Sequence, residues 1–218
     1  MKYSHTVFKD FETCPRQFAE VRIYKRIKKE FSESASAGDQ MHKAAESYVK
    51  EGAALPEQYA PLKPYIDVMI SKGKPYAELE LGVTREFMPT GFSDKDTWIR
   101  GKFDLVVRSS ATHVFLADYK TGSSRYADTN QLLLGGLLLM ANVPEVQKVS
   151  GGLIFFKEGK LIKSKLSQKH YGLSWKLFEE KTQRIEAAIA NDNFPAKPSG
   201  LCKKYCPVLS CEHNGRSG

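Results

Sequence analysis

The sequence predicts a mixed α/β fold: a central β-sheet flanked by helices, with a helical N-terminal region and a cysteine-bearing C-terminal tail. Three observations carry this expectation. Apolar residues recur at three- and four-residue intervals to about residue 71, alternate with polar ones in the middle of the chain, and return to helical spacing later. At 218 residues, with 41% hydrophobic and 27% charged, the chain can bury a core within one domain. Its four cysteines are unevenly placed, with Cys202, Cys206 and Cys211 close to the C-terminus and Cys14 near the other end. The expected division is a helical region over 1–75, a core over 76–192 and a tail over 193–218.

Residues 5–29 carry Val7, Phe8, Phe11, Cys14, Phe18, Val21 and Tyr24 at helical spacing, and Pro15 breaks the stretch in two. The polar segment Ser32–Gly38 leads into a helix to about Lys50, with Met41, Ala45, Tyr48 and Val49 on its apolar side, and another helix follows over Tyr59–Ser71. Ala77–Thr84 sets Leu79, Leu81 and Val83 against Glu78, Glu80 and Gly82, the period of a strand. Thr97–Arg108 and His113–Lys120 form a hairpin around Ser109–Thr112. Leucine-rich Asn130–Ala141 is long enough for a buried helix. Val149–Phe156 and Lys160–Lys165 pair across Glu158-Gly159, and Ser174–Asn191 forms an amphipathic helix with Ser174 as its N-cap. From Asn193, Pro195, Pro198 and Gly200 mark the irregular tail, which folds back on the rest.

Composition narrows the function classes. The formal charge of +8 favours a polyanionic partner, because contacts to phosphates release counterions. No apolar run is long enough for a membrane span, and MKYSHTVFKDFETC has no signal-peptide core, so the expected location is the cytoplasm. In that reducing compartment, clustered cysteines point to metal rather than to disulfides.

The chemistry centres on GKFDLVV (Gly101–Val107) and FLADYKTG (Phe115–Gly122). Asp118 and Lys120 lie two apart on one strand and share a face, and the hairpin sets Asp104 beside Asp118. Charged groups among apolar residues are costly unless something uses them. Two carboxylates on adjacent strands offer hard oxygen ligands to Mg²⁺ or Mn²⁺, and the lysine can position water or stabilise charge on a phosphate. The structural alternative is a buried Asp–Lys pair at a strand end.

In order along the chain, Gly38-Asp39-Gln40-Met41-His42, Glu78 or Glu80, Gly101-Lys102-Phe103-Asp104, Asp118-Tyr119-Lys120 and Gln131 together resemble the motifs of the PD-(D/E)XK nuclease superfamily, in its RecB-like branch. The resemblance implies a restriction-endonuclease-like core. It implies a metal held by His42, Asp104, Asp118 and the main-chain carbonyl of Tyr119. Lys120 would act on the attacking water, Gln131 would hold Lys120 or a phosphate, and Glu80, in preference to Glu78, would be the supporting carboxylate. One departure is Gly135, where the branch often has tyrosine; Gly135-Gly136 leaves room for close packing or DNA instead.

Cys14-Pro15 and the tail cysteines are similar to those of iron–sulfur members of that branch, such as AddB-type nucleases. The resemblance implies a [4Fe–4S] cluster on Cys14, Cys202, Cys206 and Cys211, although the three- and four-residue gaps in the tail depart from the commoner spacing. The alternatives are Zn²⁺ on Cys202, Cys206, Cys211 and His213, and no metal at all, with Cys14 merely a buried small residue. Lys203, Lys204 and Arg216 are placed to touch DNA from the tail. The expected activity is Mg²⁺- or Mn²⁺-dependent exonuclease action on DNA ends in recombination, repair or phage and defence processing. A homo-oligomer or a recombination or defence protein would be the partner. The alternatives are a non-cleaving DNA-binding module that keeps the fold, and a zinc-ribbon interaction protein, which leaves Asp118-Tyr119-Lys120 unexplained.

Overall fold

In a computed structural model, residues 1–28 and 33–216 are described. Lys29 and Ser32, where the first helical stretch was expected to end and the polar segment to begin, lie outside them. The helices are α1 (His5–Thr13), α2 (Pro15–Phe18), α3 (Glu33–Glu51), α4 (Lys63–Ile70), α5 (Asn130–Asn142) and α6 (Tyr171–Ala190). The strands are β1 (Lys74–Val83), β2 (Pro89–Thr90), β3 (Ile99–Arg108), β4 (His113–Tyr119), β5 (Lys148–Phe155) and β6 (Lys160–Ser167). Among the described residues no helix is long and apolar enough to cross a membrane.

The strands form one mixed sheet in the order β2-β1-β3-β4-β5-β6. Every neighbouring pair is antiparallel except β4–β5. A parallel pair needs a crossover, and α5 supplies it. The expected α/β class and helix-flanked mixed sheet are therefore what the chain adopts.

The chain forms two compact units: Met1–Lys2 with Ser32–Lys176, and Tyr3–Phe31 with Leu177–Gly218. The first helices group with the tail, and α6 contributes its opening turns to the first unit and the rest to the second.

In the sheet unit, α5 presses on one face. A side chain added at Gly135 would meet Leu116 at 2.6 Å and Phe103 at 2.8 Å, and one at Gly136 would meet Leu166 at 3.0 Å. The two glycines thus serve close helix–sheet packing. On the other face Met41 and Ala45 of α3 and Ile66 of α4 are buried with Leu105, Val107, Ala117, Tyr119 and Ile154. Met41, Ile66, Leu105, Val107 and Ile154 each contribute roughly 1.5–3 kcal/mol by this burial.

In the second unit Pro15 does separate two helices, and the chain continues as a wide turn over Ala19–Ile23. Phe11 and Phe18 meet edge to face at 5.3 Å, and Phe8 lies 5.8 Å from Phe178. Arg22 pairs with Asp10 and Lys181 with Glu12.

Three local expectations are corrected. Helix α6 starts at Tyr171 rather than after Ser174, because a 3₁₀ turn over Gln168–His170 runs straight into it and Trp175 is held 4.8 Å from Phe87. The expected 59–71 helix is a 3₁₀ turn over Glu57–Leu62 followed by α4, with Pro61 inside the turn removing a backbone donor. The small-residue segment before Met41 is already helical from Glu33.

Candidate metal centre and cysteine hollow

Five elements of the sheet unit converge on one place. Helix α3 brings His42, β1 brings Glu78, β3 brings Asp104, β4 brings Asp118 with Lys120 just beyond its end, and α5 brings Gln131 from its first turn.

The convergence begins where strands part. The β3–β4 ladder runs from Arg108↔Val114 to Leu105↔Ala117. Beyond that point the Asp104 carboxylate takes over, accepting the Tyr119 N–H at 2.6 Å. On the opposite flank, Ala77 pairs with Leu105 and Leu79 with Phe103, while Glu78 between them has φ +54°. A non-glycine residue in that region costs of order 1 kcal/mol or more and collects at functional sites.

This turn of the backbone is why Glu78 and Glu80 separate. Ligand atoms of His42, Glu78 and Asp104 all lie within 4.8 Å of one another. Glu80 is exposed farther along β1, opposite Lys102. The structure therefore places Glu78, not the favoured Glu80, with His42 and Asp104.

The contacts form two linked sets. His42 Nδ1 is 3.1 Å from Asp104 Oδ1. Lys120 Nζ lies 2.7 Å from Asp118 Oδ2 and donates to Gln131 Oε1 at 2.7 Å, while the Gln131 amide donates to Asp118 Oδ1. Lys102, which sequence reasoning passed over, pairs with Glu78 at 2.6 Å. Its signal was a cation two residues before Asp104, on a strand facing carboxylates.

Charge is unbalanced here. Burial first, and the negative charge of Asp104 second, push the Asp118 carboxyl up to about 7 despite Lys120. Burial alone would lower His42, but its close contact with the Asp104 carboxylate and that group's charge prevail and raise it. Although each has an ionic neighbour, His42 Nδ1 and Asp118 Oδ2 are buried without a well-directed hydrogen bond. Carboxylate oxygens and an imidazole with unmet demand fit a small divalent cation.

The second unit holds the other donor set. Cys14, Cys202, Cys206 and Cys211 line one hollow with Arg16, Lys197 and His213, and all four thiols are free. Main-chain N–H groups of Lys197 and Ser199 point at Cys14 Sγ (3.5 Å) and Cys202 Sγ (3.3 Å). Burial, with the neighbouring Cys202, Cys14 and Cys211, pushes the Cys206 thiol up. His213 sits 3.5 Å from Glu212, which pairs with Arg16 at 2.6 Å.

The chain is similar to known proteins in fold and in family. The fold resembles the protein SSO0001, at TM-score 0.50 and 16% identity over 98% of this chain and 87% of that one. It also resembles a protein of Eubacterium rectale described as a candidate exonuclease, at TM-score 0.52 and 12% identity over 92% of this chain and 85% of that one. No curated protein sequence matches significantly. Residues 2–211, nearly the whole chain, match the sequence profile of the PD-(D/E)XK nuclease superfamily, and the chain belongs to that family.

Proposed function

We propose that this protein is a metal-dependent DNA exonuclease of the RecB-like branch, acting on DNA ends in recombination, repair or phage and defence processing. The observation that carries the reading is the meeting of the His42–Asp104–Glu78 and Asp118–Lys120–Gln131 sets where β3 and β4 part. A binding module with no chemistry to perform has no use for a buried, electrostatically strained group of this kind.

His42, Asp104, Asp118 and the Tyr119 carbonyl would hold Mg²⁺ or Mn²⁺, with Glu78 beside them. Such an ion acidifies bound water and screens a scissile phosphate. Asp104 fixes the β4 end through the Tyr119 N–H. Gln131 braces Lys120 and Asp118 together, so the ammonium is oriented before substrate arrives. Lys120 then directs the attacking water and stabilises charge on the phosphate. Similarity to the Eubacterium rectale protein supports exonuclease action.

The cysteine hollow is read as a [4Fe–4S] site. Such a cluster needs four thiolates, and four free cysteines line this one hollow. The N–H groups directed at two thiols suit thiolate ligands. His213 remains the alternative ligand if zinc is bound.

Two measurements test these readings. Linear and closed circular DNA are incubated with the protein, with and without Mg²⁺ or Mn²⁺; loss of the linear form alone, only with metal, is expected. Equal attack on circles would make the protein an endonuclease, and inertness toward both would leave a DNA-binding module. Anaerobically purified protein should be brown with about four irons per chain. Colourless protein with one zinc, released by His213→Ala and indifferent to Cys14→Ala, would overturn the cluster.

A further inference from the structure

We propose that the sheet unit carries a docking trough for an acidic amphipathic helix of a partner protein, separate from the metal centre and independent of the nuclease reading. Helix α4 covers the β3–β4 side of one sheet face, where Ile66 is buried with Leu105, Val107 and Ala117. Toward β5 and β6 that cover stops. An open trough remains, walled by Val68 and Met69 of α4 and by Leu161 of β6, with Phe115, Ser150 and Gly152 on its floor. Val68 is 60% exposed and Leu161 41%, a high exposure for branched apolar side chains facing each other across a groove.

The dimensions suit a helix. From β4 to β6 is two strand spacings, about 10 Å, close to the diameter of a helix with its side chains. The β6 wall from Leu161 to Lys165 is about 13 Å long, room for roughly nine helical residues.

Charge selects among occupants. Lys163 and Lys165 line the trough and no carboxylate does. The fitting partner therefore presents apolar residues at i, i+3, i+4 and i+7 inward, with Asp or Glu toward β6. A nucleic-acid backbone would leave the apolar floor unused. A second copy of this chain would have to bring another surface to a strip already cationic.

The test uses a fluorescent helical peptide of about 14 residues with Leu and Phe at those positions and Glu elsewhere, alongside a scrambled peptide of equal charge. Anisotropy should show the amphipathic peptide binding at least tenfold tighter than the scrambled one. Lys163→Glu with Lys165→Glu should weaken it tenfold or more, as should Val68→Glu alone, with circular dichroism and melting temperature unchanged. A peptide carrying a photocrosslinker should label β6. Equal binding of the scrambled peptide, labelling elsewhere, or no binding would overturn the proposal. So would a dimer in sedimentation that Val68→Glu dissociates, or protection of the trough by a DNA oligonucleotide.

Discussion

The sheet site and the cysteine hollow both gather donors from distant parts of the chain, yet their donors are held differently. His42 stands on α3, Glu78 on β1, Asp104 on β3 and Asp118 on β4, each on a regular element whose backbone bonds are made by its neighbours. Cys14 is the junction between α1 and α2, Cys202 lies in a 3₁₀ turn, and Cys206 and Cys211 lie in irregular chain after it. Around the second set the packing is thin: among the described residues, Cys206, Val208 and Cys211 gather Ile27 and Ala196. A site on rigid elements stays assembled while empty, whereas one built from loops depends on its occupant for order. Damage to the first should therefore read out as chemistry, and damage to the second as stability.

The largest expected effect lies at the sheet site. Lys120→Ala should lower the cleavage rate by about 10²–10³-fold, the usual loss when one oriented donor is removed, with DNA affinity and melting temperature little changed. A mutant that cleaves at the wild-type rate would remove Lys120 from the mechanism.

Next comes the hollow. Cys14→Ala should bleach the protein and cost about 3 kcal/mol, by analogy with other cross-links that close a long loop. Mn²⁺ affinity of the sheet site, followed by calorimetry, should hold. A parallel drop in that affinity would show that the two sites are not separable.

Gly135→Val should overpack α5 against Leu116 and Phe103, at a cost of about 1–3 kcal/mol, while iron content stays at its wild-type value. Chemical denaturation checks the first part and metal analysis the second.

The smallest effect is an internal control on the sheet unit. Glu158 is pulled down to about 2, first by the Ser124 hydroxyl, then by Ser123 and the Ser124 N–H. A carboxylate depressed in the folded state contributes stability that is present above its unfolded value, and that stability is lost as pH falls through about 2. Ser124→Ala should therefore leave the melting temperature at pH 2 unchanged and lower it slightly at pH 7. An equal drop at both values would point to packing instead.

Much of the sheet site could be read in the sequence because its signals are periodic. Alternation fixed the β3–β4 hairpin within a residue or two, and Asp118 and Lys120, two apart, followed from it. Gln131 fell at the start of α5 because the leucine run has only one place to begin. What escaped was conformational. The left-handed backbone at Glu78 leaves no mark in a strand pattern, so two glutamates on an apparently common face could not be told apart. The two-residue strand β2 is too short for a period to show, and the gathering of the first helices with the tail depends on long-range packing that no local window contains.

The bond from the Tyr119 N–H to Asp104 has an experimental use of its own. That amide proton sits directly against an oxygen of the proposed metal ligand Asp104, on a backbone pinned within the sheet. When a cation draws electron density from the Asp104 carboxylate, this hydrogen bond must weaken, and the amide resonance and its exchange rate must move with it. Occupancy of the centre can thus be followed at a single backbone position by NMR, in the absence of DNA and without any turnover.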